Sequence, residues 1–246
     1  MIISHKKKFV FLRTSKTASS SLEVYLSQFC SKEDTITPLG LSASEDEDEF
    51  KKKHGLPGAQ NFILKKKSFG LKNFLSLNFY NNVNIHSHDT IKKVLKTKTG
   101  KNIKNYFFFS LVRNPFDWIV SNFWWYLYVK KTKIDNLDEK KLLKIFKDYL
   151  NKESYSFFIR QRDIISNKNI KIRVFKYENF NENLKIIKEK LNFGDEKISI
   201  QKIRFKNLNI KKKIIIDKTD ERKIIDDAKF FFNNYYSDMN IPSKYK

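Results

Sequence analysis

A lysine and a run of small hydroxyl residues interrupt an apolar stretch near the start of the chain. In FVFLRTSKTASSSLEVYL, residues 9–26, the apolar run ends before Lys16, serines occupy positions 19–21, and apolar residues then return at helical spacing. This pattern predicts a buried strand, a tight loop and a helix. A helix N-terminus with a lysine and hydroxyl donors binds anions. The loop therefore predicts a phosphate or phosphosulfate site, although a plain helix cap would have a similar composition.

The loop differs from the ATP-binding P-loop. That pattern, GxxxxGK[ST], places the lysine after a glycine and a hydroxyl group on Mg²⁺. Here Lys16 precedes the small residues and the loop contains no glycine. An ATP-dependent kinase is therefore disfavoured.

A second strand, loop and helix are predicted in YFFFSLVRNPFDWIVS. Residues 106–112 are apolar apart from one serine and are a second candidate for a buried strand. The Asn-Pro pair at 114–115 is typical of a helix start, with the helix reaching about residue 129. Arg113 leaves the strand, and Ser121 lies about two turns into the helix. Arginine suits bidentate phosphate binding. Ligands of open α/β sheets bind beyond the carboxyl ends of strands, so the two units predict paired anion-binding corners for a nucleotide with phosphates at both ends.

Two of the four histidines, His86 and His88, form a His-x-His pair ahead of a predicted helix. Asp89 or Thr90 is the expected cap of that helix, and Gly100 its expected end. Neutral histidine can accept a hydroxyl proton near working pH, so the pair is a candidate base, although two loop histidines would look the same. No metal is expected, because no third histidine or cysteine lies nearby to complete a zinc site.

The remaining apolar periodicity predicts an α/β protein with a central parallel sheet flanked by helices, forming a single domain over residues 1–246. Residues 31–83 show no clear periodicity and contain an acidic run at 45–49. They are predicted to be a loop or insertion near the acceptor site, with the charge runs in solvent. The further elements are a strand near 172–175 and helices over 137–150, 155–165, about 180–194 and 220–235.

The charge balance suggests an acidic partner without naming it. The chain has 50 Lys and Arg against 27 Asp and Glu, a formal net charge of +23. Nucleic acid, anionic lipid or a polyanionic substrate would fit. The high content of lysine, asparagine and isoleucine also fits an AT-rich genome. In that case the positive charge reflects codon usage and not selection for an acidic partner.

The chain is expected to be a cytoplasmic protein, encoded by a bacterium or a virus, with no transmembrane segment. Its first apolar run begins almost at Met1, which leaves no room for a leader or anchor. The most apolar stretch, 106–129, is interrupted by Arg113, Asn114, Pro115 and Asp117. The single cysteine, Cys30, excludes an intramolecular disulfide and fits a reducing compartment.

Together the motifs resemble those of sulfotransferases that use 3′-phosphoadenosine 5′-phosphosulfate (PAPS). Lys-Thr-Ala-Ser-Ser-Ser is similar to their 5′-phosphosulfate loop, especially to the Lys-Thr-Ala-Ser-Thr-Ser form of the heparan sulfate 2-O-sulfotransferase branch. FSLVRNPFDWIVS resembles their 3′-phosphate motif, in which serine follows arginine by eight residues. VFKYENF is similar to a later strand that ends in Tyr-Glu-Asn. The resemblance covers residues 8–30 and 84–190.

The resemblance implies the sulfotransferase fold and transfer of a sulfuryl group from PAPS to a hydroxyl acceptor, of which a carbohydrate is the favoured kind. It assigns Lys16 to the bridging oxygen of the phosphosulfate, and Arg113 and Ser121 to the 3′-phosphate. It makes His88 the base, with His86 as an accessory. The 5′-phosphate would be cradled by Thr17, Ala18, Ser19, Ser20 and Ser21.

Other protein classes stay open on sequence alone. A basic nucleic-acid-binding module, a P-loop kinase relative and an inactive fold relative are the alternatives. Nucleic-acid binding leaves the paired anion corners unexplained, so no nucleic acid is expected as a partner. Glu178 is expected to be structural, and residues 160–162, Arg-Gln-Arg, fit either a ligand groove or a solvated helix face.

Overall fold

The strands belong to two sheets. The computed structural model describes residues 1–38, 44–65, 82–203, 205, 210–238 and 240–246. Its strands are β1 (Ile2–Ser4), β2 (Phe9–Leu12), β3 (Thr35–Ile36), β4 (Ile63–Lys65), β5 (Asn82–Asn84), β6 (Phe107–Val112) and β7 (Ile172–Lys176). The main sheet has the order β3-β1-β2-β6-β7, and β4 pairs with β5.

The helices pack on both faces of the main sheet. They are α1 (Ser19–Ser27), α2 (Ser44–Lys53), α3 (Ile91–Leu95), α4 (Thr99–Asn102), α5 (Pro115–Val129), α6 (Glu139–Tyr149), α7 (Tyr155–Ile165), α8 (Phe180–Leu191), α9 (Lys218–Asp227) and α10 (Lys229–Tyr235). A π-helical turn, Leu150–Ser154, joins α6 to α7. Within the described ranges, no helix is long and apolar enough to cross a lipid bilayer.

Parallel pairing of β2, β6 and β7 forms the centre of the main sheet. Side chains alternate between its faces: Phe9 and Phe11 pack with α1 and α8, whereas Val10 and Leu12 pack with α5. Both faces of β2 are buried, which explains its continuous apolar run. The predicted α/β class, with a central parallel sheet flanked by helices, is confirmed. β1 and β3 extend it through antiparallel pairing.

The segment 31–83 is more ordered than its sequence suggests. It contains β3, α2 and β4, and residues 39–43 and 66–81 lie outside the described part of the chain. The expectation that its charge runs lie wholly in solvent is wrong, because α2 includes the acidic run and buries Glu47 and Lys51. These two residues are one helical turn apart and therefore share a face. A single domain of 1–246, with this segment near the acceptor, stays a prediction.

Two helix boundaries differ from expectation for backbone reasons. Gly100 lies inside α4 instead of ending α3, and a Cβ there would be 2.5 Å from the Val94 carbonyl oxygen. Glycine is needed because the two helices approach so closely. The predicted last helix is divided at Ala228, whose φ of −98° and ψ of 14° separate α9 from α10.

Candidate active site

A cavity of about 510 Å³ lies at the carboxyl edge of the three parallel strands. The residue directly after each strand lines this cavity: Arg13 after β2, Arg113 after β6 and Tyr177 after β7. Parallel strands bring their ends to one edge, which is where α/β proteins bind ligands. The other lining residues come mainly from the first loop, α1, α5 and α7: Ser15, Lys16, Ala18, Ser19, Ser20, Ser21, His88, Ser121, Asn122, Trp125, Phe157, Arg160, Gln161 and Phe205.

The loop after β2 makes a left-handed turn without glycine. Lys16 and Ala18 have φ angles of 59° and 55°. Each non-glycine residue in this region costs about 1 kcal/mol, so other contacts must hold the turn. The Ser19 hydroxyl donates to the Thr14 carbonyl at 2.6 Å, and the Thr14 hydroxyl donates to the Leu111 carbonyl at 2.5 Å. The loop is thereby tied to both α1 and β6.

Two cations from neighbouring strands converge on the cavity. The Lys16 ammonium lies 5.0 Å from the centre of the Trp125 ring, and the Lys16 carbonyl accepts a hydrogen bond from Arg113 Nη1 at 3.3 Å. The Arg113 guanidinium lies 4.8 Å from the centre of the Tyr177 ring. Its buried Nε has no hydrogen-bond partner among the described residues. This arrangement suits an anionic ligand that supplies the missing acceptor.

Arg13 is a third cation in the cavity lining and was not among the residues expected there. It is buried and donates through Nη2 to the Ser20 hydroxyl, while Nη1 lies 3.5 Å from Glu23 Oε2. Burial acts to raise the pKa of Glu23, but the Met1 amino group and Arg13 outweigh it and hold that pKa below its usual value. Glu23 is thus an anion under the loop. The sequence could have indicated this role, because Arg13 comes directly after a predicted strand, as Arg113 does.

His88 is held in one tautomer at the cavity. Its Nδ1 lies 2.9 Å from the Arg13 carbonyl oxygen, and a carbonyl only accepts, so Nδ1 carries the hydrogen and Nε2 the lone pair. Although the side chain keeps an exposed face, desolvation by the surrounding protein, followed by the charge of Arg13, lowers its pKa to about 4. His88 is therefore neutral at neutral pH, with Nε2 able to accept a proton.

Two residues expected in the site do not line the cavity. The Thr17 side chain is fully buried, with its hydroxyl 3.0 Å from that of Thr14. His86 is exposed, and its backbone N–H donates to the Asp89 carboxylate at 2.7 Å. The expectation for Thr17 came from the resemblance, and that for His86 from an extended backbone that would place it on one face with His88.

Helix α7 forms one wall of the cavity. Phe157, Arg160 and Gln161 line it at the spacing i, i+3, i+4, which places them on one helix face. Arg162 instead pairs with Asp163 at 3.1 Å. Of the two alternatives for residues 160–162, the ligand groove therefore applies to Arg160 and Gln161, and the solvated helix face applies to Arg162. The helical spacing predicts that these residues share a face, but it does not show that the face lines this cavity.

Glu178 fixes the start of α5, as expected of a structural residue. Its Oε1 accepts from the Asn114 backbone N–H at 2.6 Å, and its Oε2 accepts from the Tyr236 hydroxyl at 2.8 Å. The Asn114 side chain in turn accepts from the Phe116 backbone N–H at 2.9 Å and caps the helix. These contacts hold the segment directly after Arg113.

The fold and the cavity define an α/β protein with cationic side chains gathered at the carboxyl edge of its sheet. The sequence model of the sulfotransferase family matches residues 1–229, so the chain belongs to the sulfotransferase family. Members of this family generally use PAPS as the sulfuryl donor. The family predicted from the three motifs is confirmed, whereas the heparan sulfate 2-O branch stays a prediction.

Among solved structures, a sulfotransferase from Alicyclobacillus acidocaldarius is similar at 14% sequence identity. The match covers 94% of this chain and 97% of that chain, with a TM-score of 0.39. No curated protein matches the sequence.

Proposed function

We propose that the protein transfers the sulfuryl group of PAPS to a hydroxyl group of a carbohydrate. The observation that carries this proposal is the convergence of Lys16, Arg113 and neutral His88 on one cavity. A donor with phosphates at both ends requires cations at separate corners, and a hydroxyl acceptor requires a base. Membership in the sulfotransferase family supports sulfuryl transfer as the reaction.

The residues present fit a doubly phosphorylated nucleotide. The serines at 19–21 stand at the N-terminus of α1, where backbone N–H groups favour anions. At the second corner, the buried Nε of Arg113 lacks a hydrogen-bond partner among the described residues, and Ser121 lines the same cavity. The cavity volume of about 510 Å³ is in the range of small-molecule sites.

The residues of this chain would divide the reaction between them. The bound donor supplies an activated sulfuryl group. His88 Nε2 takes the proton of the acceptor hydroxyl as its oxygen bonds to sulfur, and the bond from sulfur to the phosphate oxygen breaks in line. Lys16 stabilises the negative charge that develops on that phosphate oxygen. Arg113 and Ser121 hold the far phosphate, which orients the sulfuryl group toward His88.

The carbohydrate acceptor is proposed from the mixed character of the lining. Trp125 offers an aromatic surface, while Asn122 and Arg160 offer polar contacts. Sugars combine apolar ring faces with hydroxyl groups, so they match such a lining. Transfer of labelled sulfate from PAPS to a panel of oligosaccharides, phenols and tyrosine peptides tests this choice. Transfer confined to phenols or peptides would reject it.

Adenosine 3′,5′-bisphosphate should stabilise the wild-type protein and not the Arg113→Ala variant. At about a hundred times its dissociation constant, a ligand adds about 2.7 kcal/mol, which corresponds to roughly 5–11 °C in Tm for a chain of this size. Arg113→Ala removes the charge and the donors proposed to hold the 3′-phosphate. Thermal unfolding with and without the bisphosphate measures both effects.

Arg173→Ala is the matched control for the Arg113 variant. Arg173 is an exposed arginine on β7 that packs over Phe175 as Arg113 packs over Tyr177, but it does not line the cavity. It should leave the bisphosphate response intact. Stabilisation by ATP with magnesium, or by DNA, without any response to the bisphosphate would contradict the proposed donor and favour a kinase or a nucleic-acid-binding protein.

The acid limb of kcat/KM should fall near pH 4, well below the usual histidine range. The His88 pKa in the free protein is about 4, and the base works only when it is neutral, so activity persists as pH falls through 6.5 and is lost near 4. Initial rates at low substrate concentration across pH 3.5–8 test this, with brief exposure and return to pH 7 as the stability control. A limb near 6.5 would contradict it.

A further inference from the structure

We propose that Gln161 and Trp118 form a clamp that positions Lys16 by holding both polar groups of the Ser15 backbone. Gln161 Oε1 accepts a hydrogen bond from the Ser15 N–H at 2.9 Å. Trp118 Nε1 donates to the Ser15 carbonyl oxygen at 2.5 Å. The residue before the reactive lysine is thus held by side chains of α5 and α7, neither of which belongs to the loop.

The clamp stabilises a left-handed backbone conformation that glycine would adopt without strain. Lys16 has a φ of 59°, a conformation that an L-residue keeps only where surrounding contacts fix it. The clamp fixes the peptide group on the N-terminal side of Lys16. Arg113 Nη1 fixes the other side by donating to the Lys16 carbonyl at 3.3 Å. The direction of the Lys16 side chain therefore depends on contacts from three other elements.

Both halves of the clamp are anchored in one packed aromatic cluster. Trp118 is fully buried and Gln161 is 3% exposed. The Trp118 ring makes edge contacts with Phe157, Phe158 and Phe231 at centroid distances of 5.6, 6.2 and 5.1 Å. Phe157 and Phe158 lie on α7 one turn before Gln161, so the same helix supports the indole and supplies the amide. Little side-chain motion is left to either group.

Gln161 and Trp118 are positioning residues because they act through Lys16. A displacement of about 1 Å at a catalytic group can reduce the rate about 10²-fold. Gln161→Met, which keeps the length of the side chain and loses the acceptor, should lower kcat about 10- to 100-fold, with the KM for the acceptor unchanged. This kinetic consequence rests on the proposed function.

Hydrogen exchange of the loop amides tests the clamp without any reaction. In Gln161→Met, the amides of residues 15–18 should exchange about tenfold faster than in the wild type, because one hydrogen bond is lost. Gln161→Glu retains an acceptor oxygen and should restore the protection. The amides of β2 should be unaffected in both variants, which separates loop release from general unfolding.

Trp118→Phe tests the other half of the clamp and does not depend on the Gln161 variants folding. It removes the indole donor and keeps an aromatic ring in the cluster, so the same loop amides should exchange faster. Trp124→Phe is the matched control, since Trp124 lies on the same helix, packs against Phe123 and does not line the cavity.

Wild-type exchange of the loop amides in both Gln161→Met and Trp118→Phe would overturn the clamp. So would exchange as fast in Gln161→Glu as in Gln161→Met, because the retained acceptor would then have no effect. If the loop is released in these variants while the wild type transfers no sulfuryl group, the clamp stands and the proposed function fails. If the wild type transfers the sulfuryl group and the loop exchange is unchanged in the variants, the proposed function stands and the clamp fails.

Discussion

Replacing Lys16 with alanine should reduce kcat by about 10²–10³-fold, in line with the loss of one preorganised group that stabilises developing charge. The Lys16 ammonium is the cation at the corner where the phosphosulfate is proposed to bind. Its charge matters most when the bond to the phosphate oxygen breaks, so the effect should fall on kcat more than on binding. Steady-state transfer of labelled sulfate gives kcat, and calorimetric titration with the bisphosphate gives the affinity.

Lys8→Ala is a closely matched control for this variant. Lys8 also has a left-handed backbone, with a φ of 53°, but it is exposed in the turn before β2 and does not line the cavity. Its replacement should leave kcat unchanged, and a loss like that of Lys16→Ala would instead indicate a general effect of replacing lysine in a left-handed turn. A kcat for Lys16→Ala within about threefold of the wild type would remove Lys16 from the mechanism.

Replacing His88 with alanine should reduce kcat by about 10²–10⁴-fold, the usual contribution of a general base. Nε2 is the basic nitrogen because Nδ1 donates to the Arg13 carbonyl, and the low pKa keeps the ring neutral. The bisphosphate does not need a base to bind, so its affinity should stay near that of the wild type. The transfer assay and the titration on one protein preparation distinguish the two effects.

Variants of two other histidines test whether His88 is the base. His54→Ala should leave the rate unchanged, because His54 is an exposed residue that contacts Phe50 and does not line the cavity. His86→Ala should have a small effect, because His86 lies outside the cavity lining. A large loss in His86→Ala beside full activity in His88→Ala would transfer the role of base to His86.

The two cationic corners of the cavity were predictable because their signals are local. Each one needs only an apolar run, a cation within four residues of its end and a helix start, all within about 25 residues of sequence. Lys16 and Arg113 follow this rule, and both line the cavity. The long helix α5 was also predictable, because the Asn-Pro pair marks its start and its apolar residues recur over four turns.

The contacts that hold these corners could not be predicted in the same way. The partners of Ser15 lie 103 and 146 residues away in sequence, and no local pattern connects them. Arg13 and Glu23 form a buried ionic contact, but charged residues in a sequence are normally expected at the surface. β1 and β3 have three and two residues, too few to show a period. Such features appear only when the packed chain brings distant segments together.

The contact between His88 and Arg13 has a consequence for how the site tolerates mutation. The atom that selects the His88 tautomer is a backbone carbonyl oxygen, and every amino acid supplies one at position 13. Sequence drift can therefore change the side chain at position 13 without removing the acceptor. The hydrogen bond from Nδ1 that leaves Nε2 as the basic nitrogen therefore depends on the backbone at the end of β2 and not on the side chain at position 13.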